Sequence, residues 1–313
     1  MGLRVNLVKS IAALSIVMTL PSAARATEAA MGRYTPGLFA MPGAGIVVPM
    51  PGVYWQSSSF AYFGKAGKDL EIPIGGTTQF GLSGDIIATS MTGLWVPDIK
   101  LGNNLTFAIS GTVPVGYMSA EASLGPRGSS DNVTGLGDIM VAPTIGWHQG
   151  TDFVSASVRI YGPTGEWEKG ALANIGLNYW TFSPTLGYTH LDPKLGLDFS
   201  VLAGLDINTE NTATDYTSGM MAHIDASLSK KFENNIGIGI FASALLQVTK
   251  DTGGIADRLD GFEGRSYAIG PMLTYTGGTK ESPVNFSLNW APEFGVKNRL
   301  EGNAVYFNVS GAF

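Results

Sequence analysis

The chain has 313 residues, of which 42 are glycine, 14% are charged and none is cysteine, and its formal net charge is −6. The absence of cysteine excludes a disulfide-stapled fold, and the acidic balance gives no reason to bind nucleic acid. The high glycine and low charged content also differ from those of an ordinary helical or α/β enzyme.

The first 26 residues have the pattern of a secretory signal peptide. Arg4 and Lys9 supply positive charge, residues 11–20 form an apolar run, and residues 24–26 read Ala-Arg-Ala, a small-residue cleavage site. The alternative is a membrane anchor, but a spanning helix needs about twenty apolar residues. Cleavage after residue 26 removes three basic residues and no acidic one, which lowers the basic count from 19 to 16 against 25 acidic residues and gives a net charge of −9.

No later segment is apolar enough for a transmembrane helix. The longest apolar stretch, residues 236–248, has thirteen residues and includes two glycines, a serine and a glutamine. For an exported chain this leaves two classes, a closed membrane β-barrel and a secreted all-β domain.

Residues 27–52 are predicted to be an irregular segment that packs against something. Residues 31–52 hold four prolines and five glycines, which excludes a central strand or a long helix. The same stretch is apolar and carries one charge, Arg33, whereas a solvated linker would be polar. It either lies along the periplasmic rim of a barrel or folds into the lumen as a partial plug, with a hydrophobic path lined by Phe39, Met41, Val47 and Met50.

Residues 53–313 are predicted to form one barrel domain of about twelve strands. Several segments alternate between apolar and polar residues with a period of two, which indicates strands with two different faces. In the sixth segment the alternation changes phase at Ser183-Pro184, where we expect a β-bulge. The segments are 53–64, 80–91, 104–115, 137–148, 152–162, 174–190, 195–207, 219–231, 235–248, 265–276, 283–290 and 303–313.

The connections favour the membrane barrel over a secreted sandwich. Those after the even-numbered segments are short, and those after segments 1, 3, 5, 7, 9 and 11 are predicted to be long. This alternation, with an even strand count and both ends of the barrel domain at the short turns, is typical of outer-membrane barrels. The predicted fold is therefore an all-β, closed antiparallel transmembrane barrel with short periplasmic turns and long extracellular loops.

The final strand, residues 303–313, supports this interpretation. Val305, Phe307 and Val309 share one face, and the chain ends on Phe313. A terminal aromatic strand resembles the signal by which barrel-assembly machinery recognises outer-membrane proteins. We predict that residues 303–313 pair antiparallel with residues 53–64 and close the barrel.

The chain resembles the family named for the meta-pathway of phenol degradation over most of residues 34–313. The resemblance implies an outer-membrane barrel that takes up hydrophobic or aromatic compounds, and it implies no catalytic residue. The motifs that carry it are 135–143 (GLGDIMVAP), 162–168 (GPTGEWE), 174–184 (NIGLNYWTFSP), 208–219 (NTENTATDYTSG), 246–253 (LQVTKDTG) and 269–271 (IGP).

If the apolar faces contact lipid, the polar faces line the lumen. They would provide a mostly acidic lining with one arginine, which either sets selectivity or consists of charges that pair across the barrel. The residues concerned are Asp85, Asp138, Arg159, Asp198, Asp206, His223 and Asp225.

The predicted function is passive uptake of small hydrophobic or aromatic solutes across the bacterial outer membrane. The expected partners are outer-membrane lipid, the assembly machinery and the solute, without cofactor or metal. Two alternatives remain: a plugged barrel that binds other molecules through its long loops, and a lipid-modifying enzyme that uses one of the three histidines. Asp251-Thr-Gly253 has the sequence of an aspartic-protease triplet, but that chemistry needs a second carboxylate close by.

Overall fold

The computed structural model describes residues 32–66, 72–74, 77–79, 81–99, 101–124, 127–258, 261, 263–279 and 281–313. The predicted signal peptide, residues 1–26, lies outside the described residues. Within the described ranges, no helix is long and apolar enough to cross a membrane.

The described chain consists of fifteen strands and one short helix. In chain order they are β1 Gly52–Lys65, β2 Ile72–Ile74, β3 Thr77–Gln79, β4 Ser83–Val96, β5 Leu105–Leu124, β6 Arg127–Leu136, β7 Met140–Gln149, β8 Asp152–Tyr161, β9 Thr181–Asp192, β10 Leu197–Asn208, β11 Met221–Lys231, β12 Ile236–Gln247, α1 Gly254–Arg258, β13 Arg265–Gly278, β14 Pro283–Lys297 and β15 Glu301–Ala312.

Twelve of these strands close into an antiparallel ring. The order around the ring is β1, β4, β5, β7, β8, β9, β10, β11, β12, β13, β14 and β15, and β15 returns to β1. The closing pair runs from Tyr54 opposite Ala312 to Lys65 opposite Glu301. Both the predicted fold class and the predicted pairing of the last strand with the first are therefore confirmed.

The alternation along the strands separates two environments. On β12, Ile236, Ile238 and Ile240 are exposed on the outside, whereas Phe241 and Leu245 are buried. Exposed apolar side chains of this kind occur on strands all around the ring and form an outer belt suited to lipid. Trp95 and Trp147 are exposed close to the short turns, where interfacial aromatic residues are common.

Three local predictions are wrong. The connection after the eleventh segment is short, because β14 continues to Lys297 and the chain turns through Asn298, whose φ is 56°. The sixth segment begins only at Thr181, and its register with β8 is unbroken, so the apparent bulge reflects residues outside the strand. Residues 116–136, predicted as a loop, belong largely to the long hairpin β5–β6. This hairpin extends beyond the end of β8 at the long-loop end of the ring. Its outward-facing residues there do not contact lipid and need not be apolar.

Candidate functional site

Residues 33–47 lie inside the ring and run from its long-loop end to its short-turn end. Arg33 lies beside Thr181, the first residue of β9, with Nε donating to the threonine hydroxyl at 3.0 Å. The carbonyl oxygen of Ala40 accepts a hydrogen bond from Asn289 on β14. Gly45 donates its N–H to Thr189, near the short-turn end of β9, at 3.0 Å. The chain then leaves the lumen and enters β1. We call residues 32–51 the lumen segment.

Asp225 on β11 is the central attachment point of the lumen segment. Its carboxylate accepts hydrogen bonds from the Tyr34 hydroxyl at 2.8 Å, the Gly37 N–H at 3.1 Å and the Phe39 N–H at 3.3 Å. The Ser243 hydroxyl on β12 provides a further donor. Asp225 is 1% exposed. A carboxylate removed from water in this way requires several donors, and the lumen segment supplies most of them.

His223 supports the same attachment from the neighbouring inward position of β11. Its ring stacks on that of Tyr34, with centroids 4.4 Å apart and planes inclined by 15°. Its Nε2 lies 3.6 Å from a carboxylate oxygen of Asp206 on β10. His223 is 4% exposed, so it acts here as a packing residue between the wall and the lumen segment.

Asp138 joins the lumen segment to the long connection between β8 and β9. It forms a buried ion pair with Arg33. Its oxygens also accept the N–H groups of Thr164 at 2.9 Å, Gly165 at 2.8 Å and Leu177 at 2.9 Å. The connection 162–180 is therefore folded back towards the β6–β7 junction at the long-loop end of the ring.

The short-turn end is held by hydroxyl groups and close backbone packing. Ser200 accepts the Gly43 N–H at 3.0 Å and donates to Asp198 at 2.6 Å. A Cβ atom at Gly45 would lie 2.5 Å from the carbonyl carbon of Tyr188. Only glycine fits this position without displacing either the segment or the wall.

The lumen segment leaves two spaces inside the ring. A chamber of about 550 Å³ lies between the segment and the walls formed mainly by β1, β4, β5, β7 and β8. A wider vestibule of about 1160 Å³ opens at the short-turn end. The chamber combines serine and threonine hydroxyls with apolar side chains, including Phe39, Phe60, Ile86 and Met118.

Six of the seven predicted lumen residues face inward. Asp138, Asp198, Asp206, His223 and Asp225 are buried, and Arg159 lines the chamber. Asp85 does not face inward, so this prediction is wrong. It is exposed and shares the outward alternation of Ile87 and Met91. The alternation does not distinguish the two faces of β4 here, because Ile86 lines the chamber and Ile87 is exposed on the outside, so both faces are apolar.

Three of the four predicted path residues in the lumen segment lie in the ring. Phe39 and Met41 line the chamber, and Val47 is buried in a cluster with Val96 and Ala108. Met50 is 61% exposed, so its predicted place inside is wrong. It lies where the chain leaves the lumen and turns into β1, next to Tyr54, whose hydroxyl donates to its carbonyl.

Sequence reasoning missed the residues that attach the segment to the wall. Tyr34, Ser243 and Asn289 were not singled out, because nothing local marks a tyrosine or an asparagine as a long-range hydrogen-bond partner. The sequence marks Arg33 only as the single charge of an apolar stretch. That isolation was the available signal, since a lone charge in a segment predicted to pack requires a buried partner.

Asp251 stabilises a contact between the two long loops 209–220 and 248–264. It is 2% exposed and accepts hydrogen bonds from the Tyr216 hydroxyl at 2.5 Å, the Gly219 N–H at 2.6 Å and the Gln247 amide at 2.6 Å. These three donors are all neutral, and burial raises the pKa of this carboxyl from 3.8 to about 6. The geometry indicates a structural role at the long-loop end.

We expect the contact between these loops to weaken as the pH rises from about 4 to about 6. With its raised pKa, the folded carboxyl keeps a proton that the opened loop releases, so stability is greatest below this range and falls through it. The protection factor of the Gly219 amide, measured by hydrogen exchange and corrected for the intrinsic rate, should decrease accordingly.

Asp251→Asn should remove this pH dependence, because the asparagine oxygen still accepts and its amide can donate to Tyr216. Asp215→Asn is the matched control, since Asp215 is exposed in the same pair of loops and its φ of 54° suits asparagine. A pH dependence that survives in Asp251→Asn would assign the effect to another group.

The closed ring, the apolar belt and the internal segment define the class as an outer-membrane β-barrel. The chain belongs to the family described as "Putative MetA-pathway of phenol degradation", whose model matches residues 68–309. The family resemblance seen in the sequence motifs is thereby confirmed. Among curated protein sequences, none matches the chain significantly.

Solved structures of other proteins match the chain at low sequence identity. An outer-membrane channel from Pseudomonas putida F1 is 13% identical with a TM-score of 0.68, and the match covers 87% of this chain and 99% of that one. A Pseudomonas aeruginosa FadL homologue is 10% identical with a TM-score of 0.47, covering 94% and 98%. The transport unit of the autotransporter AIDA-I from Escherichia coli is 13% identical with a TM-score of 0.48, covering 85% and 91%.

Proposed function

We propose that the protein is a passive channel for small hydrophobic or aromatic solutes, narrowed by its own lumen segment. The observation that carries the proposal is the chamber, whose volume of about 550 Å³ falls within the range of about 300–1,000 Å³ that is usual for small-molecule sites. Phe39 and Met41 of the segment and Phe60 and Met118 of the wall all line this space. Diffusion down a gradient needs no cofactor.

The outer surface supports the proposed partners. The belt of exposed apolar side chains suits outer-membrane lipid. Phe313 is 88% exposed at the short-turn end, where the assembly machinery would meet it, and its N–H donates to Val53 at 3.1 Å. We propose that this residue is the assembly signal.

Ion current through the purified protein in a planar bilayer tests the function. A single-ring aromatic such as phenol should interrupt the current, because it fits the apolar chamber, whereas glucose at the same concentration should interrupt it much less. A barrel that carries no current and responds to neither solute would contradict the channel and favour a binding surface formed by the long loops.

A further inference from the structure

The charge of the chamber is opposite in sign to that of the whole protein. Among the described residues that line it, three are charged: Arg33, Asp138 and Arg159. Arg33 and Asp138 form an ion pair with each other. The lining therefore has a net charge of +1 in a chain of net charge −6, and the excess lies on Arg159.

Arg159 is held in place by an aromatic ring and has no carboxylate partner in the described part of the chain. Its guanidinium carbon lies 3.9 Å from the centroid of Phe39, a cation–π contact. Its Nη1 is buried without a hydrogen-bond acceptor. An arginine binds rings through the face of its guanidinium and carboxylates through the edge, so the contact with Phe39 leaves edge donors available.

Three inward carboxylates, those of Asp138, Asp198 and Asp225, already accept hydrogen bonds from other groups. Asp138 accepts from Arg33 and three backbone N–H groups, and Asp225 accepts from the lumen segment and Ser243. Asp198 accepts from Ser200. Asp206 has one oxygen 3.6 Å from His223 Nε2 and a second that is buried without a hydrogen-bond donor, and it forms no ion pair with Arg159. The inward positions before Arg159 on β8 are Ser155 and Ser157, which are neutral. Arg159 is half-buried, and no carboxylate of the described residues lies within ion-pair distance of it, so its charge lacks a counter-ion.

We propose that the chamber binds small aromatic anions, such as single-ring carboxylates, with Arg159 as their counter-ion. This rests on the proposed channel function and specifies its solute class. The apolar residues Phe60, Ile86 and Met118 provide the surface for a ring, and the guanidinium provides paired donors for a carboxylate. A neutral ring would use only the first of these interactions, and an amine would be repelled.

Current block by three probes of similar size tests the proposal: benzoate, benzyl alcohol and benzylamine. For the wild type we expect benzoate to block at about tenfold lower concentration than benzyl alcohol, because its carboxylate accepts charge-assisted hydrogen bonds from the guanidinium; tenfold corresponds to about 1.4 kcal/mol. Benzylamine should be the weakest. Arg159→Gln should remove the preference for benzoate and change block by benzyl alcohol much less than block by benzoate, and Arg159→Lys should restore part of the preference. Arg265→Gln, at an exposed arginine outside the chamber lining, is the matched control.

The wild type alone provides a second measurement, so the proposal can be tested even if a variant fails to fold. The zero-current potential across a KCl gradient should show a preference for chloride over potassium. Equal block by benzoate and benzyl alcohol, or a preference for potassium, would overturn the proposal and leave the channel function intact. If none of the probes changes the current, both the anion site and the proposed aromatic channel are contradicted.

Discussion

Deletion of residues 32–50 should raise the single-channel conductance several-fold. The lumen segment passes through the ring from the long-loop end to the short-turn end and separates the chamber from the opposite wall. A ring of twelve strands without it would leave a continuous water-filled lumen, because its size lies between barrels of about eight strands, which side chains can fill, and open porins of sixteen to eighteen. Planar-bilayer recording of the purified deletion variant measures the change. An unchanged conductance would show that the segment does not obstruct the path.

Adding one carbon atom to the lumen segment, in Gly45→Ala, should raise the conductance less than deletion of the segment does. Gly45→Ala places a Cβ 2.5 Å from the Tyr188 backbone, so the segment must move away from the wall at the short-turn end. The conductance should lie between those of the wild type and the deletion. Gly93→Ala is the matched control, because a Cβ there meets no atom within 4 Å. If the two variants behave alike, the contact between Gly45 and the wall is not a constraint on the segment.

The ring itself could be predicted from the sequence because its two faces meet different solvents. Lipid outside and polar groups inside impose a period of two, and the alternation along residues 303–313 was strong enough to identify the closing strand. The composition of residues 31–52 likewise showed that the segment packs, because proline and glycine exclude regular structure while apolar side chains exclude a solvated linker.

The remaining features depend on contacts that no local pattern records. Asp85 was assigned to the wrong face because the rule of a polar interior fails where β4 borders an apolar chamber. The pair formed by Arg33 and Asp138 joins residues 105 positions apart in the chain, and the bond between Tyr34 and Asp225 joins residues 191 apart. The period-two alternation identifies the face of a strand on which a side chain lies. It does not identify which residue of the lumen segment contacts that side chain.

Asp225→Ala should release the middle of the lumen segment and raise the conductance, though by less than the deletion does. The substitution removes the acceptor shared by Tyr34, Gly37 and Phe39, and a buried donor left without a partner costs about 1–3 kcal/mol. Since the segment can move into water, that cost should appear as detachment, measured as increased conductance and as faster hydrogen exchange of the Gly37 amide. Ser243→Ala removes one donor and keeps the acceptor, so it should change both quantities much less.

Combining the two changes distinguishes detachment of the segment from damage to the wall. If Asp225 acts by holding the lumen segment, Asp225→Ala should add nothing to the conductance once residues 32–50 have been deleted, because the interaction it removes no longer exists. If Asp225 instead maintains the shape of β11, the two changes should have independent effects that add. A further increase in the double variant would contradict the attachment role. A non-additive result would show that the hydrogen bonds between the buried carboxylate of Asp225 and the otherwise apolar lumen segment hold the segment in the conducting path.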